Sequence, residues 1–251
     1  MPPTLILIRH GEAFHNSTDK SSSGVNLPRG CADIAIRNHA LHDPALTELG
    51  REQCSELEEN LRETLPIAQE VELIITSPFL RTIETTLIGL DWLVQRGVPI
   101  EPDALWQENS AKPCDTGSDA AHLSTLFPHI DFSKLDPVYP SKADDTIYAF
   151  TKSAVVRRGE MCLQNLYNRK EKVIAVVSHS GFLRTAISQT LYFNADYRVF
   201  DFASELTPSG VPRLVEWELT EKKGGGMGRS ELGHHPIVGR DFPAEEVPRA
   251  E

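Results

Sequence analysis

The sequence predicts an α/β fold built on a largely parallel sheet. Three short apolar runs, Leu5-Ile6-Leu7-Ile8, Val71 to Thr76 and Val173-Ile174-Ala175-Val176-Val177, read as buried strands. Stretches of helical periodicity alternate with them, a pattern that gives parallel strands joined by right-handed crossovers. Each run also ends in polar or basic residues: Arg9-His10-Gly11, Ser77-Pro78-Phe79-Leu80-Arg81 and Ser178-His179-Ser180-Gly181. In an open α/β sheet, the carboxyl ends of the strands are where ligands bind.

Taken in order, the first strand leads into a weakly periodic stretch, residues 12–45. Its segment Ser17 to Gly30 is rich in Ser, Asn, Gly and Pro and reads as a long loop. His39, His42 and Asp43 near its end have irregular spacing for a metal site and are read as hydrogen-bonding or solvent-facing groups. Thr47 is the expected N-cap of a helix with Glu48 in its first turn. That helix has a stripe of Leu49, Gln53/Cys54, Leu57 and Leu61, a solvated face of Glu52, Glu56, Glu58 and Glu59, and an end at Pro66. After the second strand, Ser77 is expected to cap a helix with Pro78 in its first turn and Arg81 one turn in, where backbone N–H groups favour an anion. The helix continues from Thr82 to Val94 and closes at Gly97-Val98-Pro99. Ile100 to Trp106 is expected to form a third short strand. Turn-rich segments follow, including residues 127–145 with Pro128, Pro137 and Pro140. Asp144 to about Arg169 reads as a helix with Phe150, Ala154, Met161, Leu163 and Leu166 facing inward and Arg157-Arg158 on the surface. After the strand ending at His179, Phe182 to Leu191 reads as a helix and Arg213 to Leu219 as a last strand. From Glu221 the chain is a tail containing Gly224-Gly225-Gly226, expected to be ordered only by docking or not at all. No internal repeat is visible, and no composition shift precedes the tail.

The totals narrow the class. The chain has 251 residues, 40% hydrophobic and 24% charged, the balance of a soluble globular protein. Its net charge of −11 argues against a nucleic-acid or anionic-membrane partner, although a local basic pocket can oppose the global sign. Cys31, Cys54, Cys114 and Cys162 are widely spaced with no C-x-x-C, which fits a reducing compartment rather than a zinc site or disulfide framework. The first apolar run is interrupted by Arg9, too short for a secretory signal, and none approaches a membrane span. A soluble cytoplasmic protein is expected.

Parallel strands would bring Arg9, His10, Arg81 and His179 to one edge of the sheet. Two arginines and two histidines together repel one another unless an anion sits among them. A phosphoryl group fits best, because arginine makes charge-assisted, often bidentate bonds to phosphate.

On Arg9-His10-Gly11, Asn16, Leu46-Thr47-x-x-Gly50-x-x-Gln53, Ser77-Pro78-x-x-Arg81, Glu108 and Ser178-His179, the sequence resembles the histidine phosphatase superfamily, also called phosphoglycerate mutase-like proteins. The resemblance spans about residues 5–190. His42 to Thr47 and Pro113-Cys114-Asp115-Thr116-Gly117-Ser118 are similar to its fungal phosphomutase-like branch. It implies a three-layer α/β/α sandwich, with residues 1–220 as the catalytic domain and 221–251 as a C-terminal tail. It also implies that His10 is a nucleophile forming a phosphohistidine, that Arg9, Arg81, His179 and Asn16 bind the transferred oxygens, and that Glu108 is the proton donor, with Glu12 and Asp115 as alternatives. Many members have Gly directly after the second histidine. Here Ser180 intervenes, and its N–H and hydroxyl remain available to phosphate.

No metal or cofactor is required where two arginines and a histidine supply the charge. The implied activity is phosphatase hydrolysis of a small phosphomonoester or diphosphate. The alternatives are phosphoglycerate mutase-type transfer and a weakly catalytic binding or regulatory protein. The mutases carry an Arg- and Tyr-rich insertion just after the acid, whereas Asn109 to Leu126 has Lys112 but no Arg and no Tyr. The extra length lies in residues 12–45, where Phe14, Val25, Leu27, Arg29, Ile34 and Arg37 are expected to form a wall or lid that selects substrate. Oligomeric state is not readable from the sequence.

Overall fold

The structure is a computed structural model describing residues 1–17 and 38–243. The lid expected from Val25, Leu27, Arg29, Ile34 and Arg37, and Cys31 with it, lies outside the described residues.

The strands are β1 (Thr4–Arg9), β2 (Val71–Thr76), β3 (Ile100–Pro102), β4 (Val173–Ser178), β5 (Tyr197–Phe202) and β6 (Leu214–Glu216). They form one sheet in the order β3-β2-β4-β1-β5-β6. The four strands from β3 to β1 run parallel, and β5 and β6 add an antiparallel edge. The helices are α1 (Glu48–Thr64), α2 (Leu80–Gly89), α3 (Asp91–Gln95), α4 (Ala120–Leu126), α5 (Lys152–Tyr167), α6 (Ser180–Phe182) and α7 (Glu218–Glu221).

Side-chain alternation along each strand makes the layers. Ile6 and Ile8 of β1 join Ala175 and Val177 of β4 against Cys54, Leu57 and Leu61 of α1 and Leu93 of α3. Leu5, Leu7, Ile174 and Val176 point the other way, onto Val155, Cys162, Leu163 and Leu166 of α5. The result is an α/β/α sandwich with a mostly parallel central sheet, as the sequence implied. A third cluster, with Phe79, Ile83, Leu123, Phe132, Tyr139 and Tyr148, lies under the long connection between β3 and α5. No helix among the described residues is long and apolar enough to cross a membrane.

Several local expectations are corrected. Ser77 does not cap α2: the helix starts at Leu80 with Phe79 as N-cap, and Ser77 Oγ turns to His179 instead. The stretch Thr82 to Val94 is two helices, broken at Leu90. The third strand is shorter than Ile100 to Trp106 and passes into a 3-10 turn at Ala104–Trp106. The helix expected from Asp144 begins only at Lys152, because Thr151 caps it by accepting the N–H of Ala154. On that helix Met161 is exposed. Arg158 is buried, not on the surface, its guanidinium 4.2 Å from the Phe182 ring centre and donating to Asn109 Oδ1 at 3.1 Å. The segment after His179 is helical from Ser180 and π-helical over Leu183–Ser188, ending at Gln189 rather than Leu191. The last strand stops at Glu216, where α7 follows. Strand β5, interrupted by Arg198 and Asp201, has no apolar run that predicts it.

Candidate active site

The carboxyl ends of β1, β2 and β4 meet at one edge, so the site is assembled by the sheet itself. Helix α1 fixes the turn after β1. Thr47 caps α1 by accepting the N–H of Gly50, and its hydroxyl donates to Glu12 Oε1 at 2.8 Å. Gln53, one further turn along, accepts the N–H of Glu12 at 2.9 Å. A Cβ on Gly50 would lie 1.9 Å from the Glu12 carbonyl oxygen, so only glycine lets the helix approach this closely. The Thr47-x-x-Gly50-x-x-Gln53 spacing therefore grips the segment that follows the nucleophile candidate. It also commits Glu12 to Thr47, which weakens Glu12 as the proton donor.

His10 is 3% exposed. Its Nδ1 lies 2.6 Å from the Gly11 carbonyl oxygen, which can only accept, so Nδ1 carries the proton and Nε2 carries the lone pair. Arg81 Nε donates to that Nε2 at 3.3 Å. Burial, then the Arg81 and Arg9 cations, hold the His10 pKa well below the usual imidazole range, so the ring stays neutral and nucleophilic. The His179 ring packs 5.2 Å from it and accepts or donates at Ser77 Oγ, 2.9 Å away. Burial and Arg81 also lower the His179 pKa, and its Nδ1 is buried with no hydrogen-bond partner.

Arg81 is fully buried and does more than the sequence predicts. It donates to the Cys114 carbonyl oxygen at 2.8 Å and to Asp115 Oδ1 at 3.3 Å. Asp115, which the sequence left as an alternative acid, is thereby a counter-ion, and Ser110 Oγ donates to its other oxygen at 2.6 Å.

Glu108 arrives from the loop after β3. Its Oε1 accepts the N–H groups of Phe182 (2.8 Å) and Asn109 (2.9 Å), and its Oε2 accepts that of Gly181 (3.1 Å). Burial, then the Asp115 charge, raises its pKa despite these bonds. A carboxyl raised in this way holds a proton longer, as a proton donor must. Lys142 anchors the loop from behind, donating to the carbonyls of Glu108 (2.5 Å) and Ser110 (2.8 Å). Its own burial lowers its pKa to about 7.

Ser180-Gly181 now has a physical reading. A Cβ on Gly181 would lie 2.5 Å from Glu108 Oε1, so the glycine makes room for the carboxylate. Gly181→Ala is expected to push Glu108 aside and to match Glu108→Gln in slowing alkyl phosphates by ~10²-fold or more, with aryl phosphates slowed far less. Rates on paired alkyl and aryl esters check this. Equal slowing of both ester types would remove Glu108 from the acid role.

A cavity of about 670 Å3 opens over this edge. Of the residues expected in the site, Arg9, His10, Asn16, Glu108 and Ser180 line it, while Arg81 and His179 are fully buried, each against the His10 ring. Asn16 Nδ2 donates to Asn194 Oδ1 at 3.4 Å, and Arg9 donates to the Tyr192 carbonyl oxygen at 2.8 Å. Sequence reasoning missed His15, whose ring is 5.9 Å from that of His10, and the cavity residues Phe193, Arg229 and Glu231. His39 lines the cavity with its Nδ1 3.4 Å from Cys114 Sγ. Asp43 accepts the N–H groups of Leu80 and Ser118.

Comparison with known proteins gives the same picture. A probable phosphatase of Schizosaccharomyces pombe is 31% identical over 185 residues, covering 72% of this chain and 76% of that protein. A phosphoglycerate mutase-like protein of Arabidopsis thaliana is 28% identical over 215 residues, covering 74% of this chain and 73% of its own. The ecdysone phosphate phosphatase of Bombyx mori, solved in complex with tungstate, has a similar fold at 17% identity and TM-score 0.51, over 79% of this chain and 89% of that one. The family model of the histidine phosphatase superfamily (branch 1) matches residues 5–204, from the first core residue of β1 to just beyond β5. With the sheet, the strand-end histidines and this match in agreement, the chain belongs to the histidine phosphatase superfamily.

Proposed function

We propose that this protein is a phosphatase that hydrolyses a phosphoric ester through a phosphohistidine on His10. The observation that carries the proposal is the state of His10: proton fixed on Nδ1, Nε2 unprotonated beside Arg81, and the ring on the cavity wall with Glu108. Nε2 attacks phosphorus as the ester P–O bond breaks, and Glu108 gives its proton to the departing oxygen. Water then attacks the phosphohistidine, its proton passing to Glu108, and the P–N bond breaks to release phosphate. Splitting one displacement into two lowers each barrier. Arg9, Arg81 and His179, with Asn16 and Ser180, stabilise the charge on the equatorial oxygens.

Hydrolysis is favoured over mutase transfer by the stretch after Glu108, which has no Arg or Tyr to hold a sugar-acid product. The test is direct: the purified protein should release phosphate from phosphoesters faster than it interconverts phosphoglycerates. The reverse order would replace the hydrolase reading with the mutase one. A cytoplasmic location goes with this reading, supported by free thiols at Cys54, Cys114 and Cys162.

The pH dependence follows from the two shifts. The rate needs His10 neutral, hence pH above its lowered pKa, and Glu108 protonated, hence pH below its raised pKa. A bell is expected in kcat/KM, its acid limb set below the usual imidazole range and its alkaline limb above the usual carboxyl range. Glu108→Gln should abolish its alkaline limb, read as the ratio of wild-type to variant rates so that the substrate's own ionisation cancels. An alkaline limb left unmoved in the variant would assign it to another group.

A further inference from the structure

The cavity is larger than a phosphoryl group needs. Its 670 Å3 falls in the range of sites that bury a whole small molecule, roughly 300–1,000 Å3. The inner end is the phosphoryl site. We infer that the outer half is a subsite for an uncharged, largely apolar alcohol portion of the phosphate ester, and that residues 229–231 of the C-terminal segment form part of its wall. This inference rests on the phosphatase reading and deepens it by naming the substrate class.

Apolar surface is the first reason. Leu49 and Phe193 are 43% and 45% exposed, and both line this one cavity together with Leu191 and Tyr192. Leu49 falls in the apolar stripe of α1, yet it misses the core that Cys54, Leu57 and Leu61 join. Single exposed apolar side chains are ordinary. Here two of them face a cleft that ends at the nucleophile candidate, where a bound ester would cover them.

Charge is the second. The two arginines of the outer wall are already matched: Arg184 is paired with Asp241, and Arg229 with Glu56 at 2.6 Å. The carboxylate-bearing Glu231 lines the same wall. A second phosphate or a carboxylate on the substrate would have to displace one of these pairs and would face Glu231. A neutral body leaves both pairs in place and brings no charge against Glu231.

The third is that the wall is built. Asp196 is fully buried and accepts the N–H of Met227 (2.8 Å), the N–H of Arg229 (3.3 Å) and the hydroxyl of Ser230 (2.7 Å). Ser230 Oγ in turn accepts the N–H of Phe193 at 2.9 Å, which fixes the aromatic residue on the rim. A Cβ on Gly225, whose φ is +81°, would lie 2.3 Å from Asp196 Oδ2, and one on Gly226 would lie 1.9 Å from the Tyr197 ring. The glycine run read from the sequence as a tail is the part that lets the chain close over Asp196. Residues 194–196 also touch the nucleophile strand, for the Asp196 carbonyl accepts the N–H of Arg9 and Asn194 Nδ2 donates to the His10 carbonyl.

The experiment compares phenyl, 2-naphthyl and 4-carboxyphenyl phosphates, all aryl esters with a modest need for acid catalysis. Wild-type kcat/KM should be about tenfold higher for the naphthyl than for the phenyl ester, through KM, and lower for the carboxyphenyl ester. In Phe193→Ser the naphthyl-to-phenyl ratio should collapse towards one. Gly225→Val, which lifts the wall, should do the same. A wild-type protein indifferent to ester size, or a ratio unchanged in Phe193→Ser, overturns the subsite. Calorimetry on His10→Ala separates the two claims. Tighter binding of naphthyl than of phenyl phosphate by a protein that hydrolyses neither as wild type would keep the subsite and reject the phosphatase reading. Equal binding of both esters by that variant would reject the subsite whatever the turnover.

Discussion

His10→Ala is expected to lower turnover by at least ~10⁴-fold, the scale on which removing an attacking nucleophile acts, while the protein stays folded. The side chain stands at the end of β1, where the sheet's packing is carried by Leu5, Ile6, Leu7 and Ile8 rather than by the imidazole. Its loss removes the bond to the Gly11 carbonyl, the contact to Arg81 and the ring contacts to His179 and His15. Such a change falls in the ordinary range of about 0.5–3 kcal/mol, which leaves the fold intact. Phosphate release and a denaturant unfolding curve, measured on one preparation, check both halves. Activity within tenfold of wild type would move the nucleophile elsewhere.

Arg81→Ala is expected to cost ~10³-fold or more in kcat/KM, as removal of a transition-state arginine does in other phosphoryl transfers. Unlike His10→Ala, it should also destabilise. Arg81 is buried and serves His10, the Cys114 carbonyl and Asp115 at once, so its removal leaves a carboxylate without its cation. Breaking a buried pair in this way costs about 3–5 kcal/mol. The pH profile carries the diagnostic sign. The Arg81 cation lowers the His10 pKa, so its loss should raise that pKa and move the acid limb to higher pH. Arg81→Lys should restore the limb's position, because it restores the charge, but only part of the rate, because a point charge lacks the planar fork. Should the acid limb stay fixed in Arg81→Ala, the electrostatic coupling between these two residues would be wrong.

Which parts were legible in the sequence depends on how local their causes are. Strands β1, β2 and β4 are nearly continuous β-branched and aliphatic runs, the pattern of strands covered on both faces. Their order then placed Arg9, His10, Arg81 and His179 on one edge without any knowledge of contacts. Strand β5 escaped because Arg198 and Asp201 interrupt it. Arg198 is buried because Glu216 of β6, 18 residues on, neutralises it at 2.8 Å and the carbonyls of Leu191 and Glu231 accept its remaining N–H groups. Arg158 looked like a surface residue for the same reason, since nothing near it in sequence announces Asn109 or the Phe182 ring. Ser77-Pro78 has good helix-start chemistry, yet the Pro78 carbonyl accepts the Tyr139 hydroxyl and Ser77 turns to His179, so the helix starts two residues later than that chemistry predicts. Glu108 came from the resemblance alone. Its cradle depends on Gly181 and Phe182, more than 70 residues away in sequence.

The most direct test of the account is to find where the phosphoryl group rests. Protein mixed for milliseconds with ³²P-labelled phosphoester, then quenched into alkaline denaturant where a P–N bond survives, should carry label on the peptide containing His10. That label should be lost on acidification and be absent from His10→Ala. Label on a serine or an aspartate, or continued turnover with no label on the protein, would contradict the phosphohistidine mechanism.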